Sequence, residues 1–169
     1  MVATNVTRGG NFLLTTRDPA GDWSEPIWLE QGGIDPSLTF DGDEVYLIST
    51  NTGGVNHEEI PAWAGRYGIV QSKIDLTTGK LLTKPRYIGS GTGAKCPEGP
   101  HLYRRGNHYY LLLAEGGTEY GHMVTVGRSQ SPWGPFETCP HNPLLTHRSL
   151  EHPIQGTGHG DLVEAHDGS

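Results

Sequence analysis

Asp35 and Glu98 open two stretches of sequence that read alike, and a fold that stacks repeated units brings equivalent points of them together. The first stretch, Ile34 to Leu47, reads I-D-P-S-L-T-F-D-G-D-E-V-Y-L, and the second, Glu98 to Leu111, reads E-G-P-H-L-Y-R-R-G-N-H-Y-Y-L. Pro36 maps to Pro100, Leu38 to Leu102, Gly42 to Gly106, Tyr46 to Tyr110 and Leu47 to Leu111, each pair 64 residues apart. Asp35 and Glu98 lie at the same edge of the two units, displaced by one residue. Two carboxylates facing one cleft can divide acid and base work between them, the least that hydrolysis of a bond between sugars requires.

The elements that must position them are strands. Each unit reads as a β-hairpin turning at Gly42 or Gly106, with a returning strand rich in Tyr, Leu and Val. A second repeat relates T-T-R-D-P-A-G-D-W at Thr15 to Trp23 to R-S-Q-S-P-W-G-P-F at Arg128 to Phe136, as a strand, a Pro-x-Gly turn and an aromatic that opens an outer strand. Together these give one four-stranded sheet from Ile34 to Phe40, Glu44 to Ser49, Tyr67 to Ile74 and Lys84 to Ile88. A second sheet comes from Glu98 to Tyr103, His108 to Ala114, His122 to Arg128 and Phe136 to Thr138. Three strands precede the first sheet, at Val2 to Val6, Asn11 to Thr16 and Glu25 to Leu29, and a lone inner strand at His159 to Glu164 follows the second. Repeating four-stranded sheets with Gly/Pro-rich turns predict an all-β propeller, with a two-sheet sandwich as the other arrangement. The chain then starts and stops in mid-blade, so it is expected to be a segment of about two blades from a longer protein.

Composition agrees with many short strands: 25 Gly and 12 Pro stand in a chain of 169 residues that is 34% hydrophobic. The net charge of -7 and the scattered Lys and Arg speak against nucleic acid as a partner. No apolar stretch has the length of a membrane helix, and no leader-like segment opens the chain, so no membrane partner is expected. Cys96 and Cys139 fall on the innermost and outermost strands of one blade, roughly 14 Å apart at about 4.8 Å per strand, whereas a disulfide needs Cα atoms within about 7 Å. Unpaired thiols are expected, in keeping with a reducing compartment such as the cytoplasm. The stretch Asn51 to Arg66 has no period and reads as a loop at the rim of a site, in which Trp63 could stack on a sugar ring or serve as packing.

Four motifs in order, G-I-D-P-S-L at Gly33 to Leu38, C-P-E-G-P-H-L-Y at Cys96 to Tyr103, A-E-G-G-T-E-Y-G-H at Ala114 to His122 and G-T-G-H-G-D-L-V at Gly156 to Val163, resemble those of glycoside hydrolase family 43. That resemblance covers nearly all of the chain. It implies a five-bladed β-propeller and inverting hydrolysis of terminal xylose or arabinose residues from (arabino)xylan oligosaccharides, β-xylosidase before α-L-arabinofuranosidase. The rival is a noncatalytic carbohydrate-binding propeller. By the same resemblance Glu98 is the general acid, and Asp35 orients it and tunes its pKa, since a neighbouring carboxylate disfavours a second negative charge. The family's general base is an Asp on an earlier inner strand, and no residue here matches its motif, so this stretch alone is expected to be inactive.

Three further residues are candidates for substrate binding: His159, His122 and Trp63. Some relatives hold a hydrated calcium ion near the counterpart of His159, so Ca2+ is the one cofactor the resemblance suggests, and none is required. The expected partner is a small carbohydrate. Two decoys fall away. The G-T-G-H-G run lacks the Lys-Ser/Thr and helix of a phosphate loop, and Arg17-Asp18-Pro19 matches the plain turn at Gln130-Ser131-Pro132.

Overall fold

The computed structural model of the chain describes residues 1–7, 9–52 and 67–168. Among these residues there is no helix, and the strands form three antiparallel sheets in chain order. The first sheet holds β1 (Val2–Thr4), β2 (Asn11–Leu13) and β3 (Ile27–Trp28). The second runs β4 (Ile34–Asp41), β5 (Glu44–Asn51), β6 (Gly68–Lys73) and β7 (Arg86–Gly89). The third runs β8 (Glu98–Arg105), β9 (His108–Glu115), β10 (Met123–Ser129) and β11 (Glu137–Thr138). Each four-stranded sheet is a meander whose strands pair only with their neighbours in sequence, as in a propeller blade.

Both repeated hairpins turn in two residues, and Gly42 and Gly106 take φ of 59° and 58°, a left-handed conformation that glycine adopts without steric cost. Alternation along β5 then builds two cores from one strand. Leu47 packs with Leu13, Leu29 and Ile74 towards the first sheet, and Ile48 packs with Ile69, Ile88, Leu102, Leu111 and Leu113 towards the third. Both residues are 0% exposed, so the middle sheet is covered on both faces.

A polar seam joins the inner strands β4 and β8, which share no backbone ladder. Ser37 donates its hydroxyl to the carbonyl of Pro100 at 2.6 Å, and Thr39 donates to that of Leu102 at 2.7 Å. Asp41 accepts hydrogen bonds from Tyr109 and from the Arg104 guanidinium at the hairpin end. At the other end the Gly99 N–H donates to Asp35 Oδ2 at 3.3 Å. Residues 37, 39 and 41 lie on one face because side chains alternate along a strand, and Asp35 meets β8 through its own bond to Gly99. The seam continues on the far side of β8, where Tyr103 donates to Asp161, the Leu162 N–H donates to Tyr103 Oη at 2.9 Å, and Arg105 approaches Glu164 at 3.3 Å.

Every strand expected from the sequence up to Thr138 is present within a few residues of its expected bounds. The inner strand expected at His159 to Glu164 is not formed. A strand is held by ladder bonds, and this segment is held instead by the side chains of β8, with no described strand paired to it. Cys96 and Cys139 are both free thiols, as expected.

The seam generates two tests. Thr39→Val keeps the shape but leaves the buried Leu102 carbonyl without this donor, at a cost of about 1–3 kcal/mol in urea unfolding; an unchanged midpoint would show that the bond contributes nothing. Tyr109 and then Arg104 hold the Asp41 carboxyl below its ordinary pKa of 3.8. A carboxylate with a depressed folded pKa contributes stability that is complete above the unfolded value and is lost as pH falls through the folded one. Asp41→Asn is therefore expected to lower the urea midpoint at pH 7, with a gap to the parent that narrows as pH drops below about 4. A gap of the same size at pH 3 would rule out the ionised carboxylate as its source.

Candidate active site

The two acids sit where both inner strands break register. Pairing of β4 with β5 shifts between Ile34 and Ser37, and pairing of β8 with β9 shifts between Glu98 and His101. Inside each irregularity one residue is left-handed: Asp35 at φ 51° and Gly99 at φ 55°, the two being 64 residues apart. At a further spacing of 60 residues, which aligns Leu162 with Leu102, His159 takes φ 51°. The same bend therefore recurs at three successive inner positions although the third has no ladder. For a non-glycine residue the left-handed conformation costs roughly 1–2 kcal/mol, least for Asp and Asn, so Asp35 and His159 are held there by their surroundings.

The bends explain how the side chains meet. The carboxylate of Asp35, half-buried, reaches the backbone N–H of Gly99, which is the residue after Glu98. The imidazole of His159 lies over the same glycine: a Cβ on Gly99 would stand 2.6 Å from its Nε2. Asp35 and His159 thus both bear on Gly99, and Glu98, half-buried at the first position of β8, is the residue before it in the chain.

The loop before Asp35 is held by buried amides. Gln31, 0% exposed, donates from Nε2 to Ser49 Oγ at 2.9 Å and accepts from Ser72 Oγ at 2.7 Å. Asn11 donates from Nδ2 to the carbonyls of Gln31 and Gly32 at 3.0 and 3.2 Å. Gly33 then presses so close to the Thr50 carbonyl, 2.3 Å from where a Cβ would be, that no other residue fits without a shift.

His101 lies next to this cluster, and the sequence reading did not single it out. It falls on the same alternation as Ser37, 64 residues on, and its Nδ1 lies 3.5 Å from Asp161 Oδ1. Burial pushes its pKa below the ordinary value against the pull of Asp161 and Asp35, with His159 adding to the depression. Burial and the hydrogen bond to Asp161 push the neighbouring Tyr103 phenol up.

His122 is 6% exposed and packs beneath residues 156–158. Its Nδ1 lies 3.1 Å from the Gly156 carbonyl, an acceptor only, so Nδ1 carries the proton. Trp63 lies outside the described residues. Among the described residues no group of three or more His, Cys, Asp or Glu is placed to hold a metal ion.

Antiparallel sheets stacked in chain order, with two acids and a histidine brought to one end of successive inner segments, define part of a β-propeller with a carboxylate site. Residues 1–169 match the family described as glycosyl hydrolases family 43. The chain is 43% identical to a xylosidase/arabinosidase of Butyrivibrio fibrisolvens, over 100% of this chain and 34% of that protein. It is 39% identical to a non-reducing end alpha-L-arabinofuranosidase of Bacteroides ovatus, over 95% and 28%. The crystal structure of a xylan beta-1,4-xylosidase from Bacillus halodurans superposes with a TM-score of 0.83 at 40% identity, over 94% of this chain and 30% of that one. The chain belongs to glycosyl hydrolase family 43. It spans about a third or less of the length of these relatives.

Gly99→Ala tests the junction of the three bends. The substitution meets both the left-handed φ and the His159 ring, so it is expected to cost about 1–2 kcal/mol in unfolding free energy and to shift the His159 ring proton resonances. Unmoved His159 resonances would mean that the imidazole does not rest on Gly99.

Proposed function

We propose that this chain carries the acid-side part of the catalytic centre of an inverting, exo-acting glycosidase that removes terminal xylose or arabinose residues from (arabino)xylan oligosaccharides. The observation that carries the reading is the Asp35 carboxylate bonded to the amide next to Glu98, in a chain that matches family 43 along its whole length. Glu98 is the proton donor to the leaving oxygen, and Asp35 orients and modulates it. His159, exposed beside them, is a substrate contact, with His122 and Trp63 as further candidates. β-Xylosidase is the preferred activity. α-L-Arabinofuranosidase is the second reading, supported by the name of the Bacteroides ovatus relative.

Inversion needs a water activated by a base about 6.5–9.5 Å from the acid, on the opposite face of the sugar. No residue of the 169 matches the family's motif for that base, and we assign it to residues outside this stretch. No step is assigned to calcium.

The acid role is tested by leaving-group chemistry in a catalytically complete protein carrying these residues. Glu98→Ala is expected to slow xylobiose, whose departing oxygen needs a proton, by about 10²–10⁴-fold, and an activated aryl xyloside far less. Equal losses on both substrates would show that Glu98 does not donate the proton.

A further inference from the structure

A third carboxylate, which the catalytic reading does not use, lies one residue from the position paired with Glu98. In the β8–β9 register Glu98 stands opposite Ala114, and Glu115 is the next residue, the last of β9. Glu115 is 0% exposed. A carboxyl group so buried needs hydrogen-bond partners. Among the described residues its hydrogen-bond donors are all neutral: the Thr92 N–H at 3.0 Å to Oε1 and 3.1 Å to Oε2, the Thr92 hydroxyl at 3.2 Å, and the Thr125 hydroxyl.

Three of these contacts come from the loop that leads into Glu98. That loop closes over the carboxylate so tightly that a Cβ on Gly91, at φ 68°, would stand 2.4 Å from Oε1. The next residue of the β9 end adds another tie, the Gly116 N–H donating to the Lys95 carbonyl at 2.7 Å. Residues 91, 92 and 95 are therefore held by Glu115 and Gly116, and only Cys96 and Pro97 separate Lys95 from Glu98. The outer tie of this loop, between Lys95 and Glu119, is exposed on both sides and contributes little.

We propose that Glu115 is a positioning residue for Glu98: it clamps the loop of residues 91–97 to the β9–β10 hairpin and so fixes where the acid presents its proton. This rests on the reading of Glu98 as the acid. Misplacing a reacting group by about 1 Å can cost 10²-fold, and the loss falls on the step that needs the proton while sugar binding is spared.

Glu115→Ala, Glu115→Gln and Glu98→Ala are compared in a catalytically complete protein carrying this chain, on xylobiose and on an activated aryl xyloside, with amide exchange followed over residues 91–97. Glu115→Ala is expected to lower kcat on xylobiose about 10-fold or more with KM within about 2-fold, to affect the aryl xyloside much less, and to speed exchange of the loop. Glu115→Gln is expected to recover most of the rate, because its oxygen can still accept from the Thr92 N–H while its amide donates to a rotated Thr125 hydroxyl. Should Glu115→Ala fail to fold, Thr125→Val and Gly91→Ala are expected to show the same substrate selectivity in milder form. Faster exchange with equal losses on both substrates would overturn the proposal and leave Glu115 as a structural anchor. If Glu98→Ala is itself unselective, the acid assignment falls first and the positioning role falls with it.

Discussion

The hydroxyls of Ser37 and Thr39 on the carbonyls of β8 set the geometry on which the site depends. Inner strands of neighbouring blades have no ladder between them, so nothing in the sheets themselves fixes how far one slides along the next. Two side-chain bonds two residues apart do fix it, because successive carbonyls of a strand point to opposite sides and a slide of one residue would take both hydroxyls off the carbonyls of Pro100 and Leu102. Asp35 lies two residues before Ser37, and its distance from the start of β8 follows from that registration. Packing of Ile48, Leu102 and Leu111 supplies the attraction between the sheets but is indifferent to small slides. Direction comes from the polar seam.

The recurring left-handed bend is a second constraint, and it separates backbone from chemistry. Asp35, Gly99 and His159 share φ values within a few degrees of one another, and their side chains are a carboxylate, nothing and an imidazole. The middle position has to be glycine because its neighbour's ring occupies the space. One backbone device, repeated around an axis, delivers different groups to one place, with the strain at Asp35 and His159 offset by the seam and the surrounding loops.

Much of this was legible in the sequence because strands announce themselves by alternation and turns by glycine. The 64-residue offset located both hairpins and both acids, and the turns at Gly42 and Gly106 followed from the same spacing. The segment at His159 to Glu164 has the residue pattern of an inner strand, but a strand needs a partner, and pattern alone cannot supply one. The seam was missed for a different reason: S-L-T-F at Ser37 to Phe40 reads as ordinary half-polar alternation, and nothing local says that its hydroxyls meet carbonyls about 63 residues on. Glu115 left a clearer trace. An acid closing the apolar run Y-Y-L-L-L-A is out of place unless something neutral and polar folds over it.

The hairpin ends offer a contrast to these crowded inner ends. A Cβ on Gly42 or Gly106 would meet nothing within 4 Å, and the eight residues of β4 or β8 put about 23 Å between each turn and the acid end of its strand. These two turns are where a graft, a reporter or a new chain junction can be accommodated with least disturbance to the blades. A fluorophore at one and a surface anchor at the other would hold the blade pair in a known orientation, with the carboxylate end facing free solution.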